Sequence, residues 1–210
     1  MKKRVYEVKT IDEALALAVE ELGIPISELE AEVLSEKKEF LGLGGKTSIE
    51  VSVKVDGIEK GKEYLQMILR ANNWEGFIEK RIRENIVEFN IDIGEANGIL
   101  IGKNSKHLIA LQILLSNIIN HYYEQNEQYI VKVDVGGYRH RRENHLERMA
   151  VDFGKQVAKT KQTIKLDSLN AYERKIIHDK LSTWKDVKTY SEGEEPNRIL
   201  IIEAKEEKSW

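Results

Sequence analysis

The chain contains no cysteine in its 210 residues. That absence excludes structural disulfides and thiolate metal sites, and it fits a reducing compartment. Long apolar runs are missing too: no stretch approaches the roughly 18 consecutive apolar residues that a membrane-spanning helix needs. The opening stretch MKKRVYEVKTIDEA carries two lysines and an arginine with no apolar segment of a secretory leader behind them. Neither export nor membrane insertion is signalled, and a cytoplasmic location is expected. Nor is there an excess of either charge. The 33 Lys+Arg against 36 Asp+Glu leave a net −3, which argues against a protein that coats polyanions through a global positive field. Catalytic constellations are likewise lacking. The five histidines, His107, His121, His140, His145 and His178, include no His-x-x-x-His pair and no HExxH, so a zinc site has little to draw on. No catalytic residue, metal ligand or cofactor site is read, and an enzyme is not expected.

What is present is 41% hydrophobic and 33% charged residues, enough apolar material for several modest cores. The charge is unevenly spread. Residues 1–57 hold 8 basic against 12 acidic side chains, residues 58–136 hold 9 against 11, and residues 137–210 hold 16 against 13, for nets of −4, −2 and +3. Within the last segment, residues 137–185 carry 12 basic and 6 acidic side chains, a balance of +6 that points to a localised anionic partner.

Periodicity divides the chain into three segments of mixed α+β character. From Lys3 to Val8 the pattern alternates as in a strand, and Thr10 precedes a helix with Ile11, Ala14, Leu15, Ala18, Val19 and Leu22 on one side, ended by Gly23. Leu29 to Leu34 and Thr47 to Val55 read as strands joined across Phe40 to Lys46, giving β-α-β-β over residues 1–57. Residues 58–136 read α-β-β-α-α-β: a helix in GKEYLQMILRANN, strands Phe77–Arg83 and Val87–Ile93, a short helical turn from Ala96 to Ile101, a long helix to about Tyr123, and a strand from Tyr129 to Val135. Over 137–210 a surface helix is expected from Arg141 to Lys159, then a short strand, then a second helix capped by Asn170 with Glu173 at its third position. Val187–Tyr190 and Arg198–Glu203 close the segment as a strand pair around an acidic turn, ahead of a polar tail.

Between the short turn and the long helix lies Gly102-Lys103-Asn104-Ser105. Helix-end amides and two lysines, Lys103 and Lys106, suit a phosphate there, and Ile99, Ile101 and Leu108 supply apolar surface for unstacked bases. This loop, within ILIGKNSKHLIALQ and the order α-β-β-α-α-β, resembles a type II KH domain, in which a Gly-x-x-Gly loop clamps about four nucleotides of single strand. Ser105 stands where that family has its second glycine, leaving a bound strand less room to approach.

Arg174 and His178 are four apart on the last helix and so share one face, offering a guanidinium for phosphate and an imidazole that stacks or donates. The same spacing at Arg141 and His145 shows how little the bare pattern proves. NAYERKIIH followed by TYSEGEEPNR, however, resembles the R-3-H domain, a single-stranded nucleic-acid binder whose helices pack on a short sheet. Further phosphate contacts are expected from Arg141, Arg142, Lys175 and Arg198 in the basic segment.

Gly44-Gly45-Lys46-Thr47 fails as a phosphate-binding P-loop because position 40 is Phe, and nucleotide hydrolysis is rejected. KEFLGLGGK instead resembles the loop of the Jag N-terminal domain, with Phe40 and Leu41 either anchoring its base or forming an exposed partner-binding knob. A Jag N-terminal domain followed by KH and R-3-H domains is the order of the bacterial Jag family, also called KhpB or EloR, and it accounts for the whole chain. The resemblance implies a single-stranded RNA binder, with single-stranded DNA as a further ligand, acting as an RNA chaperone or post-transcriptional regulator. It also implies a second small KH protein or self-association, and a link to cell elongation and envelope homeostasis. The alternative is a protein-interaction adaptor with a weakened RNA role.

Overall fold

A computed structural model describes residues 1–36 and 47–205. The loop from Phe40 to Lys46, with Phe40 and Leu41, lies outside the described residues, as does the end of the polar tail. The element order is β1 (Lys3–Val8), α1 (Ile11–Leu22), β2 (Leu29–Glu36), β3 (Thr47–Val53), α2 (Gly57–Ala71), β4 (Phe77–Arg83) and β5 (Ile86–Asp92). It continues with α3 (Asn97–Ile101), α4 (Lys106–Asn120), β6 (Ile130–Val135), α5 (Tyr138–Thr160), β7 (Ile164–Leu166), α6 (Ala171–Leu181), β8 (Val187–Glu192) and β9 (Ile199–Ala204). The α+β class and the three successions of elements match the reading from periodicity. Among the described residues no helix is long and apolar enough to cross a membrane.

Contacts divide the chain into two units: residues 1–96 with 108–133, and residues 97–107 with 134–210. In the first unit, β1-β3-β2 form an antiparallel sheet covered by α1. Thr10 accepts the Glu13 amide at 3.2 Å to start α1, and Gly23 ends it in the left-handed region at φ 67°. Its core is Val8, Ala14, Ala18, Leu22, Ile24, Leu29, Ile49, Val51 and Val53. Burying the valines, leucines and isoleucines of this core contributes about 1.5–3 kcal/mol each before the entropy of ordering is subtracted.

The sheet β4-β5-β6 buries Val87, Phe89, Ile91, Val131 and Val133, and α2 and α4 bury Ile58, Leu65, Leu69, Leu111, Leu115 and Ile119. The first helix starts four residues before the expected Gly61, because the Asp56 carboxylate accepts the Ile58 amide at 2.8 Å and caps it. That extension puts Gly57 and Gly61 against α4. A Cβ on Gly61 would lie 2.6 Å from Ile119 Cγ1, so only glycine permits this approach.

The end of α4 is fastened to the first sheet by polar contacts. The Lys2 amide donates to the Tyr122 carbonyl at 2.9 Å, the Tyr122 hydroxyl donates to Glu28 at 2.9 Å, and Lys60 pairs with the same carboxylate at 2.8 Å. Tyr123 donates to Asp56 at 2.6 Å, and Arg4 bridges Glu21 and Glu124 at 2.7 and 2.6 Å.

In the second unit, β7-β9-β8 form an antiparallel sheet, and α5 and α6 pack over it with Leu146, Ala150, Val157, Ile177, Leu181, Val187, Leu200 and Ile202 buried. The helix α5 begins at Tyr138, earlier than the expected Arg141, because the Asp134 carboxylate accepts the Arg139 amide at 3.0 Å.

The Glu28 cluster gives the first unit a defined pH window. The hydrogen bond from Lys60 holds the Glu28 carboxyl below its usual range, so its contribution is present above about pH 4.5 and lost as pH falls. Burial, with the bond to Glu28, pushes the Tyr122 hydroxyl up to about 12, so its contribution is present below about pH 10 and lost as pH rises toward 12. Urea midpoints measured across pH should therefore fall at both ends in the wild type. In Lys60→Met the acid-side fall should be shallower, because the Glu28 carboxyl is then no longer held below its usual range by Lys60; an unchanged acid limb would remove Lys60 from this role.

Candidate nucleic-acid interface

The chain between α3 and α4 turns through three left-handed positions in four residues. Gly102 has φ 71° and ψ 172°, a region essentially reserved for glycine, while Asn104 has φ 54° and Ser105 φ 61°. Gly102 is also needed for space. A Cβ there would lie 2.5 Å from the His107 ring, which folds back over it and bonds the Ile99 carbonyl through Nδ1 at 2.7 Å. A carbonyl only accepts, so that nitrogen carries the proton. Asparagine tolerates the left-handed region through its short polar side chain; serine does so less readily, at roughly 1–2 kcal/mol.

Ser105 is buried, and its hydroxyl shares a 2.8 Å hydrogen bond with the Tyr138 hydroxyl at the start of α5. Lys103 and Lys106 are exposed on either side of it. The expected apolar surface is smaller than read: Ile99 is 59% exposed, but Ile101 and Leu108 are buried, at 9% and 1%. Packing against neighbouring elements turned each of them inward. The first turn of α5 adds Arg141, exposed, whose guanidinium donates to the Gly136 carbonyl.

Arg174 and His178 do lie on one face of α6, but that face carries them to partners within the domain. The Arg174 side chain is 7% exposed; it donates to the Leu169 carbonyl at 2.8 Å and to the Glu195 carboxylate. His178 is exposed and bonds the Thr189 hydroxyl on β8 through Nδ1 at 2.6 Å. Arg142 is drawn inward as well, donating to Glu173 at 2.7 Å. Glu173 is only 3% exposed and completes the capping box of α6 with Asn170, each bond being 3.0 Å. Lys175 is exposed, and Arg198 is exposed with one long contact to the Ser191 carbonyl at 3.4 Å.

The structure thus brings Gly102, Lys103, Asn104, Ser105 and Lys106 together with the first turn of α5. It gathers Arg142 and Arg174 around the N-terminus of α6, where their charges are answered by Glu173 and Glu195. Periodicity did not mark Tyr138, Thr189 or Glu195, whose partners lie 33, 11 and 21 residues away, nor Asp134 and His107, whose bonds to Arg139 and Ile99 leave no trace in apolar spacing. Of the internal contacts around α6, the capping-box pair Asn170 and Glu173 was legible beforehand.

Removing the Arg174 guanidinium leaves the part-buried Leu169 carbonyl without its donor and Glu195 without its cation. Arg174→Ala should therefore lower unfolding stability by about 2–3 kcal/mol, and His178→Ala by about 1 kcal/mol or less. Urea unfolding monitored by circular dichroism checks both. A loss under about 0.5 kcal/mol for Arg174→Ala, the range of ordinary surface changes, would show that the guanidinium does not hold this region.

Comparison with known proteins bears on both ends of the chain. A model of the R-3-H domain matches residues 144–204, and a model of the Jag N-terminus matches residues 6–55. The chain is 37% identical to the RNA-binding protein KhpB of Bacillus subtilis (strain 168) over 202 residues, covering 94% of this chain and 96% of that protein. It is 36% identical to the RNA-binding protein KhpB of Clostridium symbiosum over 203 residues, 95% of this chain and 90% of the relative. With the RNA-binding protein KhpB of Streptococcus pneumoniae serotype 2 the identity is 29% over 169 residues, 80% of this chain and 50% of the relative. Similarity of more than a third along nearly the full length of the first two relatives makes this chain a member of the Jag family, the family of KhpB.

Proposed function

We propose that this chain binds single-stranded RNA, single-stranded DNA being a further ligand, through the loop Gly102 to Lys106. The observation that carries the reading is the left-handed turn at the head of α4 with Lys103 and Lys106 exposed on it. Such a turn presents backbone amides and a helix dipole to a phosphate, with two cations beside them. The names of the relatives and the match to the R-3-H domain support the same ligand. Arg141, Lys175, His178 and Arg198 supply further contacts from the exposed part of the basic segment. Arg142 and Arg174 serve the site from inside, by fixing the N-terminus of α6 and the Glu195 loop.

On this reading the modules are a Jag N-terminal domain at 1–57, a type II KH domain at 58–136 and an R-3-H domain at 137–210. The role is non-enzymatic, in the cytoplasm, as an RNA chaperone or post-transcriptional regulator tied to cell elongation and envelope homeostasis. Association with a second small KH protein or with itself fits α4, where Ile109, Ile113 and Leu114 are exposed. A protein-interaction role has one observation in its favour. On the β1-β3-β2 sheet, Glu32 stands directly opposite Glu50, Glu7 and Glu30 follow the same alternation, and Lys3, paired with Glu50 at 3.1 Å, stands among them, so the uncovered face is net acidic.

Affinity for single-stranded RNA should fall linearly with salt on logarithmic axes, by about 0.7 in slope for each phosphate contacted. Replacing Lys103 and Asn104 with Asp places carboxylates where the helix dipole tolerates them, and the left-handed Asn104 site accepts aspartate, so the fold should survive. RNA binding should weaken by at least tenfold with a shallower slope. Wild-type affinity in that variant would remove the loop as the main contact, and a flat salt response would remove phosphate neutralisation as its basis.

A further inference from the structure

We propose that Tyr138 is a positioning residue for the RNA-binding loop, its hydroxyl holding Ser105 in the left-handed conformation that a glycine would adopt unaided. The inference rests on the reading of Gly102 to Lys106 as the RNA contact and concerns how that loop is set.

Three observations support it. Asn104 and Ser105 are consecutive left-handed residues, and serine has no intrinsic reason to remain at φ 61°. Ser105 is also 7% exposed, so its hydroxyl needs a partner inside the protein, and the partner found is the Tyr138 hydroxyl at 2.8 Å. Finally, Tyr138 is itself fixed. Gly136 and Gly137 precede it at φ 55° and 70°, and the Asp134 carboxylate caps the Arg139 amide at 3.0 Å. Arg141 reaches back to the Gly136 carbonyl, and a Cβ on Gly136 would meet the Asn97 side chain at 2.6 Å. The first turn of α5 is therefore a firm reference, and one hydroxyl pair transfers its position to the loop. The backbone amides and both lysines are then presented in one arrangement before any ligand arrives, which lowers the ordering cost of binding. Tyr138 contributes no charge to this, and it acts through Ser105.

The test measures binding of a fluorescein-labelled single-stranded RNA of about 12 nucleotides, roughly three times the span a KH loop holds, to the full chain. The variants are Tyr138→Phe, Ser105→Ala, Ser105→Gly and the double variant Tyr138→Phe/Ser105→Gly. Tyr138→Phe and Ser105→Ala should each weaken binding by about fivefold, the equivalent of one lost neutral hydrogen bond. Ser105→Gly should bind at least as well as wild type, since glycine holds the positive φ unaided. The double variant should match Ser105→Gly to within about twofold, because the hydroxyl of Tyr138 has nothing left to hold; a residue that merely stabilises α5 would show no such rescue. Wild-type affinity in Tyr138→Phe, or a double variant as weak as Tyr138→Phe, overturns the proposal. The Lys103→Asp/Asn104→Asp variant separates this from the reading beneath it. If that variant loses RNA while Tyr138→Phe does not, only the positioning role falls; if it binds normally, the loop itself is the wrong site. Should Tyr138→Phe prove unstable in urea, Ser105→Ala removes the same bond from the other side and decides alone.

Discussion

The turn from α3 into α4 is the constraint on which the candidate site depends. Its residues cannot take ordinary helical or extended torsions and still join the two helices, so each left-handed position needs its own physical solution. At Gly102 the solution is the missing Cβ, which also leaves room for the His107 ring. At Asn104 it is a residue type that tolerates the region. At Ser105 it is a partner, the Tyr138 hydroxyl. A loop set by three independent devices is better defined than its length suggests, and definition is what recognition of a flexible single strand requires.

Around α6 the chain uses charge for architecture. Glu173 and Arg174 are neighbours in sequence and both nearly buried, yet each is answered by an opposite charge from elsewhere: Glu173 by Arg142 on α5, Arg174 by Glu195 beyond β8. In each pair one charge is buried and its partner reaches solvent, so the pair gives modest net stability, but leaving the buried charge alone is costly, and such pairs select one arrangement over its competitors. Here they tie the start of α6 to α5 and to the loop before β9. The basic surplus of the segment is correspondingly smaller at the surface than its composition suggests, and the exposed cations Arg141, Lys175 and Arg198 carry more of it.

The first unit shows the same principle with neutral groups. Tyr122 and Tyr123 follow the end of α4, and their hydroxyls reach Glu28 and Asp56, carboxylates before β2 and at the head of α2. One of these caps a helix and the other pairs with Lys60. Tyr122 thereby joins the end of α4 to the segment before β2 of the first sheet, and Tyr123 joins it to the head of α2. Gly57 and Gly61 make the close approach possible, since any larger residue would hold α2 away from Ile119.

The sequence by itself determined the elements and their order, because apolar spacing of two or of 3.6 is a local property that survives wherever the segment is placed. It likewise determined the Thr10 cap, the Gly23 stop and the Asn170–Glu173 capping box, whose partners lie within four residues. Element starts set by side chains just upstream, Asp56 for α2 and Asp134 for α5, were shifted by several residues for lack of that information. Tertiary structure decided which way the functional side chains look. Spacing put Arg174 and His178 on one face, but whether that face met solvent or the β8–β9 hairpin depended on packing against elements read independently. The same held for Ile101 and Leu108, which became core, and for Ser105, whose partner is 33 residues away. Periodicity fixes the phase of a side chain around its own axis; only the surrounding fold fixes what occupies the space it points into.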